Sequence, residues 1–220
     1  MKRMVDLSQI SDGRLYRSSD LVKLDTGGCA GCSACCHSME STIVLDPYDM
    51  WRLQERRGFT LETLLDGHAQ LIVCDGLILP VLTMNGPYES CSFLDENGRC
   101  SIHDARPGIC RLFPLGRIYE GGDFRYFLQT RECGKGKAKV RIRKWLDTPD
   151  MAQYERFILD WHAFLEQLSH FLSPEEEDLR KAACLYLLQA FYRVRWDAEQ
   201  PFYPQYEERM AAARRHFGFA

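Results

Sequence analysis

Apolar residues recur at three- and four-residue intervals late in the chain, at Tyr154, Phe157, Ile158, Trp161, Phe164, Leu165, Leu168, Phe171 and Leu172. That spacing predicts a helix with one buried face. Ser173-Pro174-Glu175-Glu176 then offers an N-cap, a first-turn proline and a capping-box glutamate, and Leu179, Ala182, Ala183, Tyr186, Leu187, Ala190, Phe191 and Val194 predict a second helix behind it. A third is expected from about Gln205 to Phe217, because Pro204 precedes good helix formers and Gly218 ends them. Thr148 and Pro149 read as the N-cap and first residue of the first helix, which sets a boundary near Asp147–Asp150.

The pattern before that boundary is shorter and more broken. Asp46-Pro47-Tyr48-Asp49 predicts a helix start continuing through Arg57, and Leu71–Cys74 and Leu77–Thr83 flank Asp75-Gly76 like strands of a hairpin. Asn97-Gly98 predicts a tight turn that brings Cys91 near Cys100, and Gly121-Gly122 a further hairpin, while Gly134-Lys135-Gly136-Lys137 reads as a mobile loop. The expected class is therefore α+β: an irregular cysteine-cluster domain of short hairpins and helices over 1–147, followed by a helical subdomain over 148–220. The three helices are expected to pack on the cysteine region.

Composition changes the picture mainly through cysteine. There are ten in 220 residues, nine of them at or before Cys133, in a chain whose 45% apolar content suffices for a core without cross-links. The N-terminus has basic residues but no apolar segment after them, and the most apolar stretch, 71–84, is interrupted by Asp75 and Gly76. A cytoplasmic protein without a membrane span is expected, and in a reducing compartment clustered thiols are read first as metal ligands. The net charge of -3 makes no case for nucleic acid. The basic run Lys135, Lys137, Lys139, Arg141, Arg143 and Lys144 reads as a solvated face.

Cys29-Ala30-Gly31-Cys32-Ser33-Ala34-Cys35-Cys36 is the most specific local pattern, two successive C-x-x-C steps with small spacers, the spacing used by bacterial ferredoxins. Backbone N–H groups of such a loop can donate to sulfur and offset thiolate charge. Cys91, Cys100, Cys110 and Cys133 complete eight candidate ligands, enough for two four-coordinate sites. Adjacent side chains diverge and two neighbouring thiolates seldom serve the same face of one centre, so Cys36 is expected to face a different site from Cys35. Cys74 and Cys184 fit core packing, and His37 and His103 fit hydrogen-bonding neighbours of the ligands. Arg99, Arg106 and Arg111 are placed to stabilise an anionic thiolate centre.

With its segments Cys91-Ser92-Phe93-Leu94, Gly98-Arg99-Cys100-Ser101-Ile102 and Arg106-Pro107-Gly108-Ile109-Cys110-Arg111-Leu112-Phe113-Pro114 behind the cysteine triplet, the chain resembles the YkgJ-type (CxxCxxCC) cysteine-cluster family, a zinc- or iron-chelating domain. The resemblance spans roughly Cys29 to Cys133 and implies a metal-binding domain. Flagellin lysine methylases share a similar cluster, which implies a modifying enzyme as an alternative, although no G-x-G-x-x-G loop is present. No Ser/His/Asp arrangement, H-E-x-x-H or P-loop supports a hydrolase or nucleotide-dependent enzyme. The expected function is an iron-sulfur protein carrying one or two [4Fe-4S] clusters for electron transfer or redox sensing, with a redox or protein partner. Structural zinc is the alternative cofactor.

Overall fold

The computed structural model describes residues 6–24, 32–130, 132, 138–172 and 177–219. Cys29, Cys133, the Ser173–Glu176 cap and the 134–137 loop lie outside the described residues.

A short helix α1 (Leu7–Ile10) leads to strand β1 (Leu21–Lys23), and a 3-10 turn (Ala34–Cys36) carries Cys35, the last cysteine of the triplet, and the adjoining Cys36. Helix α2 (Pro47–Arg57) starts where Asp46 accepts the Asp49 N–H at 2.8 Å and Asp49 accepts the Asp46 N–H at 3.2 Å, a reciprocal capping box. It ends on Gly58, whose φ of 71° lies in the left-handed region glycine adopts freely. Helix α3 (Leu61–Leu65) precedes the hairpin β2 (Ala69–Cys74) and β3 (Leu77–Leu82), turned by Asp75-Gly76 at φ 49° and 83° as a two-residue turn of that sequence requires.

Strands β4 (Met84–Asn85) and β5 (Ser90–Cys91) pair next. Beyond them the turn at Asn97-Gly98 is held by Asp95 and Arg99, with a single bridge between Leu94 and Cys100 instead of a regular ladder. Helix α4 (Gly108–Leu112) bears Cys110, and β6 (Leu115–Glu120) and β7 (Asp123–Leu128) form the hairpin expected at Gly121-Gly122. Strand β8 (Lys139–Arg141) then returns to pair with β1, with Leu24 N–H donating to Ala138 O at 3.2 Å. This pairing joins the chain just before the segment of Cys29 to the chain just after that of Cys133. Helix α5 (Ile142–Leu146) follows directly. The described sheets are thus four separate antiparallel pairs, and with the C-terminal helices they make the α+β class expected.

Helix α6 (Met151–Phe171) buries Tyr154, Phe157, Ile158, Trp161, Phe164 and Leu168, the stripe read from the sequence. Its N-cap is Asp150, which accepts the Gln153 N–H at 3.1 Å, and not Thr148. The Thr148 hydroxyl is occupied: it donates to Leu146 O at 3.0 Å and accepts from Arg111 at 2.7 Å. Helix α7 (Glu177–Leu188) runs into a π-helical turn (Gln189–Arg193) that buries the adjacent Phe191 and Tyr192 together. Val194, expected in the helical stripe, is 44% exposed, because that turn ends the helix with a bond from its N–H to Gln189 O. Helix α8 (Phe202–Phe217) starts three residues earlier than expected, since Pro204 sits in its first turn, where a missing N–H costs nothing. Among the described residues no helix is long and apolar enough to cross a membrane.

One apolar core runs through both parts of the chain, from Leu45, Leu53 and Leu82 to Phe164, Leu187 and Phe191. Polar bonds tie the helices to the cysteine region: the Tyr192 hydroxyl donates to Leu45 O at 3.0 Å, and Trp196 N–H donates to Gln54 at 3.0 Å. Leu45 immediately precedes the cap of α2, so Tyr192 supports the same corner as Asp46 and Asp49. Replacing Tyr192 with Phe leaves the Leu45 carbonyl without this buried partner and should cost about 1–3 kcal/mol. Urea denaturation followed by circular dichroism measures it, and an unchanged midpoint would show that the bond contributes nothing.

Candidate metal centre

Four segments converge on one cavity of about 410 Å³. Cys32, Cys35 and Cys36 come from the triplet turn, Cys91 from the end of β5, Cys100 from the loop after Gly98, and Cys110 from α4. All six cysteines of the candidate set that are described line this space, and all are free thiols. Ile43, Leu82, Met84 and Phe93 supply apolar walls, and Arg99, His103 and Arg106 complete the polar lining. Among the described residues no three His, Cys, Asp or Glu side chains stand close enough together to hold a metal ion as they are. The remaining candidates, Cys29 and Cys133, lie outside the described residues.

Cys36 corrects one expectation. It shares the cavity with Cys35 and hydrogen bonds to it, because Ala34–Cys36 is a 3-10 turn. Successive side chains there are about 120° apart, closer than the opposite faces of an extended strand. The hydrogen bond from Cys36, opposed by burial and assisted by the charge of Arg106, lowers the Cys35 thiol to about 6, while the same bond and burial push Cys36 up. Burial also raises Cys91 and Cys100, and raises Cys110 well above an ordinary thiol.

A local device repeats at two of these sulfurs. The backbone N–H of Phe93 lowers the Cys91 thiol and that of Ile102 lowers Cys100, each against the effect of burial. Each belongs to a Cys-Ser-apolar triplet, and each serine holds the turn: Ser92 Oγ donates to His68 O at 3.3 Å and Ser101 Oγ to Phe93 O at 3.0 Å. N–H donors aimed at sulfur stabilise thiolate and are a means of tuning thiolate-ligated metals. The repeated Cys-Ser-apolar pattern was the available sequence signal for this arrangement.

The three arginines separate. Arg99 and Arg106 line the cavity, whereas Arg111 is 4% exposed and turned away from it. Arg111 lies 3.8 Å from Asp49, donates to Thr148, and sits over the rings of Tyr48 and Tyr154 at 5.5 Å each. Asp49 in turn accepts the Gly108 N–H at 2.7 Å, so the cap of α2 fixes the first residue of the helix that presents Cys110. A side chain at position 108 would put its Cβ 2.7 Å from the Tyr154 hydroxyl, which leaves glycine as the residue that fits. His37 bonds Ser90 at 3.0 Å, and Cys74 and Cys184 are core residues, 6% and 1% exposed.

Two carboxyl groups meet at this corner. Burial, reinforced by the charge of Asp49, pushes Asp46 up to about 8, and burial raises Asp49 as well. Asp49 has the cation and the Gly108 N–H, so it keeps the charge and Asp46 keeps the proton. A carboxyl raised in the folded state contributes stability below its unfolded value, and that contribution is lost as pH rises through the folded one. Stability supplied by Asp46 should therefore decline between about pH 4 and 8, by the order of a few kcal/mol. Asn caps a helix as well as Asp and stays neutral, so Asp46→Asn should flatten the fall in thermal midpoint from pH 5 to 7.5. Parallel profiles for the two proteins would refute the assignment.

A family model described as "Putative zinc- or iron-chelating domain", with the signature CxxCxxCC, matches residues 28–137, half of the 220-residue chain. No curated protein and no solved structure matches the chain.

Proposed function

The chain belongs to this family of zinc- or iron-chelating, metal-binding domains, and from that premise we propose that it carries an iron-sulfur centre, of the [4Fe-4S] type, for electron transfer or redox sensing. The observation that carries the reading is the convergence of six thiols from four segments on one cavity. Four sulfurs around one tetrahedral zinc lie only about 3.8 Å apart, at a Zn–S distance of about 2.3 Å. A ring of six cysteines around about 410 Å³ suits a polynuclear centre better.

The proposed ligands are drawn from Cys29, Cys32, Cys35, Cys36, Cys91, Cys100, Cys110 and Cys133. Such a centre supplies one-electron chemistry whose potential follows charge, hydrogen bonds to sulfur and solvent exposure. This chain's residues act on each of those. The Phe93 and Ile102 N–H groups favour the thiolates of Cys91 and Cys100, Arg99 and Arg106 bring positive charge, and Ile43, Leu82, Met84 and Phe93 limit water. Ligands from distant segments couple metal uptake to folding, and thiols raised by burial must release protons on binding. Uptake should accordingly weaken as pH falls.

Metal content, acid-labile sulfide and a visible spectrum on protein purified without oxygen test the proposal. Iron with sulfide, and a charge-transfer band that bleaches with dithionite, are expected, with at least half the iron lost in Cys110→Ser. Stoichiometric zinc with a featureless visible spectrum would replace the reading with a structural zinc module serving a protein partner. Saturable binding of S-adenosylmethionine would redirect it to a lysine-methylase-like enzyme.

A further inference from the structure

A second cavity, of about 770 Å³, opens on the other side of Arg106 and His103. Its floor is Arg52 and Arg111, 6% and 4% exposed, its wall Arg106, and its rim Arg56, Arg143 and Lys144. The fold assembles this set: α2 brings Arg52 and Arg56, the loop before Pro107 brings Arg106, α4 brings Arg111, and α5 brings the last two. Arg143 and Lys144, a solvated face by sequence alone, thus complete a basic ring.

Counter-charge is limited, and on the rim Arg56 meets Glu55 at 3.4 Å. Asp104 is paired to Arg57, and its carbonyl takes Arg52 and Arg56. Asp49 meets Arg111 from behind, which leaves Asp147 as the other carboxylate of the lining. Several buried guanidinium nitrogens meet no acceptor among the described residues: Nε of Arg52, Nε of Arg106, and Nε of Arg111, whose Nη2 has only the ion pair with Asp49. Burial, and next the charge of Arg111, lowers the Arg52 pKa.

We propose that this cavity binds a small, multiply charged oxyanion, a ligand bearing phosphate or carboxylate groups. Guanidinium forks match both groups with paired N–H donors, and donors on floor, wall and rim can meet several oxyanions of one molecule together. The volume admits a ligand larger than one phosphate. The site stands apart from the metal reading, since no proposed metal ligand lines it.

Calorimetry on the full, metal-loaded chain at low salt, with metal content verified unchanged after each titration because both probes chelate metals, tests it with pyrophosphate and citrate. Saturable one-to-one binding of at least one is expected, and the tighter of the two identifies the phosphate or carboxylate class. Arg143→Ala/Lys144→Ala should weaken it tenfold or more with metal content and thermal midpoint unchanged. Arg195→Ala/Arg215→Ala removes the same charge from exposed positions elsewhere and should leave binding within twofold. No binding of either probe, or equal weakening by both double variants, would overturn the proposal. Wild-type protein isolated without iron that still binds pyrophosphate would count against the metal reading alone.

Discussion

The carboxylate of Asp49 is the interaction on which the cysteine cavity most depends. It closes the capping box of α2, accepts the N–H that begins α4, and faces Arg111 across a buried ion pair. A buried ion pair is often no more stabilising than an apolar contact of the same shape, but removing one partner strands the other at a cost of about 3–5 kcal/mol. Its contribution here is geometric. Residue 49 is far in sequence from 108 and 111, and the bonds it makes to them set where Cys110 stands relative to the rest of the cavity. Tyr48 and Tyr154, whose ring centroids are 5.5 Å apart, both lie against the guanidinium, so helix α6 of the C-terminal region takes part in positioning Cys110.

The thiols themselves are arranged with less constraint. Most are raised by burial, and the N–H groups of Phe93 and Ile102 only partly offset that cost. An apolar-walled pocket of protonated thiols is an energetically sound resting state, and it becomes a strong donor set when a cation replaces the protons. Cys35, lowered by Cys36 and Arg106, is the member already inclined to ionise. The pairing of β1 with β8 contributes at long range by tying together the chain on either side of the two segments that hold Cys29 and Cys133.

Much of this was legible in the sequence because it is local. The α6 stripe, the Asp46–Asp49 helix start and the turns at Asp75-Gly76 and Gly121-Gly122 each follow from spacing or from a residue's own backbone preference. The cysteine spacing marked the cavity in the same way. What escaped was tertiary: Thr148 looked like a cap, but Arg111 uses its hydroxyl, and the π-helical turn that buries both Phe191 and Tyr192 leaves no periodic signal. The divergence argument for Cys36 failed because it presumed an extended backbone where the chain makes a 3-10 turn.

The arginines carry the same lesson in electrostatic form. Arg99, Arg106 and Arg111 have similar sequence surroundings, yet Arg111 is committed to Asp49 inside the protein while Arg106 stands in the wall between two cavities. The backbone decides this. Arg106, ahead of Pro107, is held off the helix, whereas Arg111 rides on α4 toward Tyr154. Because Arg106 also lowers Cys35, charge placed on its far side must weaken its hold on that thiolate. Linkage makes the effect mutual: whatever fixes the charge of the thiol cavity alters, by the same free energy, how the basic cavity receives an anion.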